Sequence, residues 1–478
     1  MAEFGNLIDG QWVAGPRTRP NLNPSDLDHV LGDYPQADAQ QTRVAIEAAA
    51  EAAPGWAHSG VQARADALER VAQELHRRSE ELGTLLALEE GKTKPEAVAE
   101  VLRASAIFRF AAGEAIRHVG EHLPSVRLGV EIDVTREPVG VVGLITPWNF
   151  PIAIPAWKIA PALAWGNCVV FKPAELVPGS AWALTEIIAR AGFPAGVFNL
   201  VCGAGSEVGQ TLLDDPRVNA VSFTGSVATG RRVIQACAAR GARAQAEMGG
   251  KNPLIVLDDA DLDVAVRCAI QGGYYSTGQR CTASSRFIVT RGIYPRFIAA
   301  LRGALTALRV GHALAPDTQI GPVVDEAQLA IDLGYLEIGR AEGAELVCGG
   351  EIVERETRGH FLTPALFADA HPSMRIAREE IFGPVACALV ADDYEHALDL
   401  ANDTEFGLTA GICTTSLQHA THFKRHAQAG MVMVNLPTAG VDYHVPFGGR
   451  KGSSYGPREQ GRNAVEFYTT LKTAYTAA

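Results

Sequence analysis

The sequence has few of the residue patterns that build metal sites or disulfide frameworks. Its eight cysteines include no Cys-x-x-Cys pair, and its thirteen histidines are mostly dispersed along the chain. The cysteines are scattered at positions 168, 202, 237, 268, 281, 348, 387 and 413. We therefore predict neither a disulfide framework nor a metal cofactor.

The sequence also lacks a surplus of basic residues and any long apolar run. Its net charge is -12, spread along the chain, which disfavours nucleic acid and anionic membranes as partners. The N-terminal stretch MAEFGNLIDGQWVAG has neither the basic nor the apolar part of a signal peptide, and no apolar segment is long enough to span a bilayer. These absences predict a soluble, cytoplasmic protein with a small-molecule partner.

An alternation of strands and helices is the main pattern present. At 478 residues, the chain predicts two or three domains. A helical stretch is expected from about Val61 to Glu90, where Gly91 ends it. From Val139, short β-branched runs alternate with helical segments, which is typical of a parallel sheet with crossover helices. The predicted strands are VGVVGLI, CVVFK, VFNLV, AVSF and ARAQAE.

Polar or glycine-rich segments follow each of these five strands. In an open parallel sheet, the loops at the carboxyl ends of the strands converge, so we expect the five segments to share one ligand-binding crevice. In chain order they are TPWNFP (Thr146 to Pro151), KPAE (Lys172 to Glu175), GAGSEVG (Gly203 to Gly209), TGS (Thr224 to Ser226) and EMGGKNP (Glu247 to Pro253).

Three of these segments are candidates for binding a dinucleotide. GAGSEVG has the spacing G-x-G-x-x-x-G, which differs from the G-x-G-x-x-G fingerprint. TGS precedes a helix, where Ser226 and free N–H groups can receive a pyrophosphate. Ordinary strand-to-helix turns explain both segments equally well. Lys172 and Glu175 can contact ribose hydroxyls, although such pairs are commonly solvated surface pairs.

A second α/β region begins at Leu254 and places Cys281 in a turn between a predicted helix and the strand RFIV. Most buried cysteines are inert, but here the adjacent Arg280 is expected to favour the thiolate. Because a free thiol is only about 3% ionised at pH 7, such activation matters for a nucleophile. Near the C-terminus, EFYTTLKTAY predicts a strand that joins a sheet edge in its own chain or in a neighbour.

Two side chains at the sheet edge can support a nucleophile. Glu247 lies between an apolar strand and two glycines, and in an apolar crevice its pKa would rise toward neutrality, which suits a general base. Asn149 can donate its amide N–H to a developing oxyanion. The structural alternatives are a capping or surface carboxylate at Glu247 and a helix cap at Asn149.

Together these motifs closely resemble the aldehyde dehydrogenase superfamily. Seven segments stand in the family's order, so the resemblance covers essentially the whole chain. The segments are TPWNFP, KPAE, FTGS, EMGGKNP, GQRC (Gly278 to Cys281), EEIFGP (Glu379 to Pro384) and PFGGRKGSSYG (Pro446 to Gly456).

The resemblance implies a role for each candidate. Cys281 is expected to be the nucleophile, Glu247 the general base and Asn149 the oxyanion donor, and the reaction would run through a thiohemiacetal and a thioester to a carboxylic acid. Lys158 and Glu459 match positions of a proton relay in some members. The acylating relatives, which pass the thioester to coenzyme A, generally lack the carboxylate at Glu247, so hydrolysis is expected.

The resemblance also implies that NAD is the preferred cofactor. Lys172 and Glu175 would hold the adenine ribose, where the carboxylate would repel the extra phosphate of NADP, which is kept as the alternative. The pyrophosphate is expected near Trp148 and Ser226, and the nicotinamide ribose on Glu380. The expected cofactor contacts are Ile145, Thr146, Trp148, Lys172, Glu175, Gly205, Gly225, Ser226, Glu380 and Phe382.

For the substrate, two long stretches around Trp157 and Phe447 look similar to bacterial α-ketoglutarate semialdehyde (2,5-dioxovalerate) dehydrogenases. Trp157 stands where some semialdehyde enzymes carry an arginine, so a substrate carboxylate would need another cation, for which Arg280 is the candidate. Phe150 and Trp157 would instead suit an aromatic or apolar aldehyde. The expected substrate contacts are Phe150, Trp157, Arg280 and Phe447.

The family fold implies an α/β protein in three parts. These are a Rossmann-type NAD-binding domain at residues 1–120 and 138–248, an α/β catalytic domain at 249–447, and a β oligomerisation segment at 121–137 and 456–478. A homodimer or homotetramer is expected. The rival of a different class is a catalytically silent scaffold that keeps the fold without turnover.

Overall fold

The computed structural model describes residues 4–117 and 120–477, so residues 1–3, 118–119 and 478 of the predicted segments lie outside the described residues. The strands are β1 (Asn6–Ile8), β2 (Gln11–Val13), β3 (Arg17–Asn23), β4 (Asp26–Gln36), β5 (Glu121–Pro124), β6 (Val130–Pro138), β7 (Val141–Ile145), β8 (Cys168–Lys172), β9 (Phe198–Leu200), β10 (Val218–Thr224), β11 (Arg243–Glu247), β12 (Asn252–Val256), β13 (Ser284–Thr290), β14 (Glu345–Cys348), β15 (Ala365–Ala368), β16 (Val385–Ala391), β17 (Thr409–Cys413), β18 (Met431–Val434), β19 (Ser454–Tyr455) and β20 (Thr469–Ala477).

Helices connect most of these strands. They are α1 (Ala39–Ala57), α2 (Val61–Arg77), α3 (Ser79–Glu90), α4 (Lys94–Ile116), α5 (Ala153–Ala164), α6 (Pro178–Arg190), α7 (Gln210–Asp214), α8 (Val227–Ala239), α9 (Leu262–Gly273), α10 (Tyr294–Thr306), α11 (Glu326–Ala341), α12 (Arg375–Arg378), α13 (Tyr394–Asn402), α14 (Leu417–His426) and α15 (Val465–Tyr468). A π-helical turn at Gly205–Gly209 precedes α7, and a 3-10 turn at Tyr275–Gly278 follows α9.

The first sheet contains the five strands predicted from the sequence. Its order is β19-β11-β10-β7-β8-β9-β1-β2. The strands from β11 to β9 run parallel, whereas β19, β1 and β2 add in antiparallel fashion. Strands β7 and β8 are buried along nearly their whole length because α1 and α5 pack against them. The loops after the parallel strands therefore meet at one edge.

The second sheet has the order β14-β15-β16-β13-β12-β17-β18 and is parallel except for the pair β14–β15. Successive residues of β12 face opposite sides of it, so Leu254 and Val256 belong to one apolar core and Ile255 to another. Cys281 lies between α9 and β13, in the predicted turn. The α/β fold class expected from the sequence is thus present in both large sheets.

The C-terminal strand pairs within its own chain. β20 runs antiparallel to β6, and β5 completes a three-stranded sheet. Within the predicted bridging segment 456–478, β20 is the part that pairs with β6. The stretch before it lies along the first sheet, where β19 pairs with β11 and Glu459 forms a bridge with Phe447.

The helical stretch predicted from Val61 to Glu90 is wrong in one respect, because it forms two helices. Arg78 separates α2 from α3 with φ of -98° and ψ of 15°. At this junction its guanidinium lies 2.7 Å from Glu186 of α6 and 2.7 Å from Glu81 of α3. The apolar spacing continues on both sides of the junction, which is why the pattern alone predicted one helix. Gly91 ends α3 with φ of 100°, as predicted.

Within residues 4–117 and 120–477, no helix is long and apolar enough to cross a membrane. Across the same ranges, no group of three or more His, Cys, Asp or Glu side chains is arranged to hold a metal ion. All eight cysteines are free.

Candidate active site

Two cavities meet at Cys281. The first, here named the sheet-end cavity, has a volume of about 300 Å³ and lies at the carboxyl edge of the first sheet. The second, here named the aromatic cavity, has a volume of about 240 Å³ and lies between α4, α5 and the loop before Phe447. Cys281 and Ile154 line both. The sulfur-bearing residue therefore stands where a molecule in one cavity can meet a molecule in the other.

A strained turn holds Cys281 in this position. Ser276, Thr277 and Gly278 all have positive φ, of 51°, 58° and 68°. Such conformations are costly for residues with a β-carbon and persist where the surroundings enforce them. A β-carbon at Gly278 would lie 2.3 Å from the carbonyl oxygen of Gly383, so glycine is required there. Asn252 donates its amide to the carbonyl of Cys281 at 2.8 Å.

The Cys281 thiol is less acidic than the sequence suggested. Burial, reinforced by the nearby carboxylates Glu380 and Glu247, raises its pKa to about 12. The expected help from Arg280 is absent, because that guanidinium pairs with Glu96 at 3.0 Å and donates to Ser276 at 2.7 Å. The prediction of a thiolate promoted by Arg280 is therefore wrong for this structure. Arg280 and Cys281 are neighbours in sequence, but the guanidinium is held by Glu96 and Ser276 instead of acting on the sulfur.

Asn149 is held on the Cys281 loop. Its side-chain amide is buried and donates to the carbonyl of Gln279 at 2.9 Å. Its main-chain carbonyl accepts from Lys92 at 2.7 Å, and Lys92 in turn pairs with Glu100 at 2.7 Å. The amide has a second N–H, so a donor is available beside the sulfur-bearing turn.

Glu247 ends β11 behind the junction of the cavities. Its carboxylate is fully buried, and Ser454 donates a hydrogen bond to it. Burial and the charge of Glu459 raise its pKa well above the usual value, while Ser454 opposes the rise. The raised pKa expected from the sequence is confirmed. Glu247 lines neither cavity, so its carboxylate must turn, or act through water, to reach a group bound at Cys281.

A cluster of buried polar side chains, formed by Lys158, Glu459 and Ser222, lies deeper in the protein than Glu247. Lys158 of α5 contacts Glu459 and donates to Ser222 at 2.7 Å. Both Lys158 and Glu459 are almost completely shielded from solvent. Burial raises the pKa of Glu459, and the charge of Lys158 opposes that shift. The two predicted relay residues are therefore in contact with each other.

The predicted cofactor residues follow the edge of the first sheet. Trp148, Gly225, Ser226, Glu380 and Phe382 line the sheet-end cavity. The Trp148 and Phe382 rings meet edge to face at 5.5 Å. Ser226 caps α8 by accepting from the N–H of Thr229 at 3.4 Å. Burial raises the pKa of Glu380 to about 7.

The other five predicted cofactor residues extend along the ends of β7, β8 and β9. They are Ile145, Thr146, Lys172, Glu175 and Gly205. Glu175 accepts from the N–H of Gly205 at 3.3 Å and pairs with Arg19 at 2.8 Å. Arg19 was not predicted from the sequence, because it reaches this edge from β3, far away in the chain.

The four predicted substrate residues all line the aromatic cavity. Trp157 and Phe447 stack with centroids 5.0 Å apart, and Phe150 and Arg280 complete the set. The cavity also contains Arg103 of α4, which the sequence analysis missed. A signal was present, because Arg103 lies three residues after Glu100 and four before the buried Ile107, on one helix face.

Comparisons with known proteins agree with this geometry. A model of the "Aldehyde dehydrogenase family" matches residues 12–474. An "Alpha-ketoglutaric semialdehyde dehydrogenase" of Bacillus subtilis is 44% identical over 475 residues, which is 98% of this chain and 97% of that protein. A "2,5-dioxopentanoate dehydrogenase" of Saccharolobus solfataricus is 40% identical over 99% of both chains. A "Betaine aldehyde dehydrogenase" of Cereibacter sphaeroides is 44% identical over 91% of this chain and 90% of that protein.

Among solved structures, a betaine aldehyde dehydrogenase of Staphylococcus aureus in complex with NAD+ has a TM-score of 0.97 at 34% identity, covering 99% of this chain and 94% of that one. The resemblance and fold class predicted from the seven motifs are confirmed. Both the match over nearly the whole chain and the arrangement around Cys281 lead to one conclusion. The protein belongs to the aldehyde dehydrogenase family, and it is an oxidoreductase.

Proposed function

We propose that this protein oxidises α-ketoglutarate semialdehyde to α-ketoglutarate, with NAD as the hydride acceptor. The observation that carries the proposal is the position of Cys281 at the junction of two cavities. The sheet-end cavity would receive the nicotinamide part of the cofactor and the aromatic cavity the aldehyde. Only a residue on the wall shared by both can bond covalently to the substrate beside the cofactor.

Each proposed residue has a defined task. The Cys281 thiol gives up its proton to water as the sulfur attacks the carbonyl carbon, and Asn149 with the main-chain N–H of Cys281 stabilises the oxyanion of the thiohemiacetal. When bound, NAD supplies the hydride acceptor that converts this adduct into a thioester. Water activated by Glu247 then releases the acid and regenerates the thiol. The proton passes from Glu247 towards Glu459 and Lys158.

The residues of the sheet-end cavity fit a dinucleotide. Ser226 stands at the N-terminus of α8, where free N–H groups favour a pyrophosphate. The hydroxyl of Thr224, which lines this cavity, is buried without a hydrogen-bond partner. Glu380 can accept from ribose hydroxyls, and Glu175 at the far end of the sheet edge disfavours a ribose phosphate. NAD is therefore preferred, and NADP is the alternative.

Hydrolysis is preferred to acyl transfer because a carboxylate, Glu247, is near enough to Cys281 to act on it electrostatically. The two groups influence each other electrostatically, and the carboxylate is buried with a raised pKa, as a general base at neutral pH requires. Strict dependence of turnover on coenzyme A would identify an acyl-transferring enzyme instead.

The choice of substrate rests on relatives of two kinds. Three relatives that are 40–44% identical to this chain are named as α-ketoglutarate semialdehyde or 2,5-dioxopentanoate dehydrogenases. Betaine aldehyde dehydrogenases at 43–44% are the second candidate, and the rings of Phe150, Trp157 and Phe447 favour it, because aromatic faces attract quaternary ammonium groups.

A substrate panel tests the proposal. NADH formation should be followed with 2,5-dioxovalerate, succinate semialdehyde, betaine aldehyde and benzaldehyde, and the highest kcat/KM is expected for 2,5-dioxovalerate. Cys281→Ala should abolish oxidation while leaving NAD affinity nearly unchanged. No turnover with any aldehyde would favour the silent scaffold, and full turnover by Cys281→Ala would refute the nucleophile.

A second variant examines the base. Glu247→Gln should still form the thioester and release NADH once, but the acyl-enzyme should accumulate and be visible by intact mass. Glu247→Asp, which keeps the carboxylate, is the matched control and should retain part of the hydrolysis. Absence of a covalent adduct in Glu247→Gln under turnover conditions would remove Glu247 from the proposed role.

Assembly and location belong to the same proposal. The three-stranded sheet presents apolar side chains to solvent, including Leu123, Leu471 and Tyr475, and β5 forms an open edge. We therefore expect a homodimer or homotetramer built through this sheet, measurable by light scattering after size-exclusion chromatography. A cytoplasmic location remains a prediction of the sequence.

A further inference from the structure

Arg103 is a cation in the aromatic cavity that forms no direct ion pair among the described residues, although the charges of Glu100 and Asp442 act on it from a distance. It extends from α4 into the wall of the cavity, and its guanidinium lies 5.8 Å from the Trp157 ring centroid. Burial lowers its pKa from the usual value. Holding a cation in a low-dielectric wall is costly unless something compensates it.

The other charges around this cavity are already paired. Arg280 pairs with Glu96 at 3.0 Å, and Glu100 pairs with Lys92 at 2.7 Å. In the described parts of the chain, Arg103 forms no ion pair within 4 Å. Arg103 is therefore the charged side chain of this cavity wall that is left without a direct ion-pair partner among the described residues.

The hydrogen bonds of Arg103 are also incomplete. One Nη2 hydrogen bond reaches the side-chain oxygen of Gln460 at 3.2 Å, while Nε is buried without a partner. Gln460 has a left-handed backbone with φ of 59°, a conformation that is unfavourable for glutamine and is held by its surroundings. A neutral amide thus orients the guanidinium without cancelling its charge.

We infer that Arg103, oriented by Gln460, binds the carboxylate of the substrate at the end opposite the aldehyde. This inference rests on the proposed function and deepens it, because it selects aldehydes that carry a carboxylate. Charge on Cys281 acts on Arg103, so the cation lies within electrostatic reach of the reacting sulfur. A planar guanidinium with free N–H groups matches a carboxylate in geometry and charge.

The same charge discriminates between the two candidate substrate classes. A carboxylate would compensate Arg103, whereas a quaternary ammonium group would place a second cation beside it in a poorly solvated wall. The aromatic rings would then contact the short carbon chain between the two ends of the substrate. Arg280, the cation expected from the sequence, lines the same cavity but is already compensated by Glu96.

The test compares aldehydes of equal length with and without a carboxylate. In Arg103→Gln, kcat/KM for succinate semialdehyde should fall about 10- to 100-fold, mainly through KM, because a hydrogen-bonded charge is lost. The value for butanal should change less than about threefold. Arg109→Gln is the matched control, since Arg109 lies on the same helix but is exposed and pairs with Glu69.

The outcomes separate the anchor from the proposed substrate. Suppose that the wild-type protein prefers 2,5-dioxovalerate, but Arg103→Gln lowers kcat/KM equally for succinate semialdehyde and butanal, or for neither. The role of Arg103 in binding the carboxylate is then refuted, while the proposed substrate stands. Suppose instead that 2,5-dioxovalerate is a poor substrate, but Arg103→Gln still lowers kcat/KM for succinate semialdehyde alone. The proposed substrate is then refuted, while the role of Arg103 in binding a carboxylate stands. Should Arg103→Gln not fold, Arg103→Lys must give a smaller loss confined to the carboxylate substrate, and an equal effect on butanal overturns the inference.

Discussion

Desolvation of the Cys281 sulfur, in a residue that is partly exposed where the two cavities meet, makes a quantitative prediction for its reactivity in the cofactor-free protein. Desolvation, with smaller contributions from Glu380 and Glu247, raises its pKa to about 12. A free thiol with a pKa of about 8.5 is about one quarter ionised at pH 8, whereas a pKa of about 12 leaves roughly one thiol in ten thousand ionised. Because the thiolate is the reacting species, and a thiolate of higher pKa is intrinsically more nucleophilic, alkylation should be about 40- to 100-fold slower than for a free thiol.

The pH dependence has a definite sign. Raising the pH ionises the thiol, so the rate constant should rise about tenfold per pH unit from roughly pH 7 to pH 10 without a plateau. Alkylation by iodoacetamide can be followed by intact mass, with peptide mapping of Cys281. The variant Cys281→Ser measures the background from the other cysteines, of which Cys348 is the one partly exposed among them. A plateau with a midpoint near or below about pH 8.5 would refute the argument.

The same assay separates burial from charge. Glu380→Gln removes a carboxylate that raises the Cys281 pKa but leaves the sulfur buried. Because burial is the larger cause, we expect this variant to react less than about tenfold faster at pH 8. A rate close to that of a free thiol would mean that the carboxylate, and not burial, suppresses the thiolate.

Three further predictions concern the surrounding residues. Asn149→Ala should lower kcat about 10²- to 10³-fold because an oxyanion donor is lost, and it should also lower the melting temperature because the Gln279 carbonyl loses its buried hydrogen bond. A milder effect on kcat would argue against that role. Glu175→Gln should raise the NADP-to-NAD ratio of kcat/KM about tenfold by freeing Arg19 for a phosphate, and an unchanged ratio would contradict this. Lys92→Met should destabilise the protein by about 3–5 kcal/mol in denaturant unfolding, because Glu100 loses its buried partner, and adding Glu100→Gln should recover part of the loss.

Local patterns predicted the sheet more accurately than the helices. The five parallel strands of the first sheet were predictable because runs buried on both faces, followed by glycine-rich turns, leave few alternatives. The break at Arg78 was not, because the apolar spacing continues unchanged across the junction of the two helices. The division into domains and the roles of the site residues remain predictions from the resemblance.

The sequence alone determined the family, the order of the strands along the chain, and Cys281, Glu247 and Asn149 as the candidates for chemistry. These features are local, since each motif carries its own turn chemistry and its place in a βα unit. Packing decided which charge meets which partner. In the folded protein, Arg280 pairs with Glu96, and Arg103 and Lys92 reach the site from chain segments far from Cys281. The same packing desolvates the Cys281 thiol and so raises its pKa. Electrostatic effects depend on distance and desolvation in three dimensions, and neighbours in sequence specify neither.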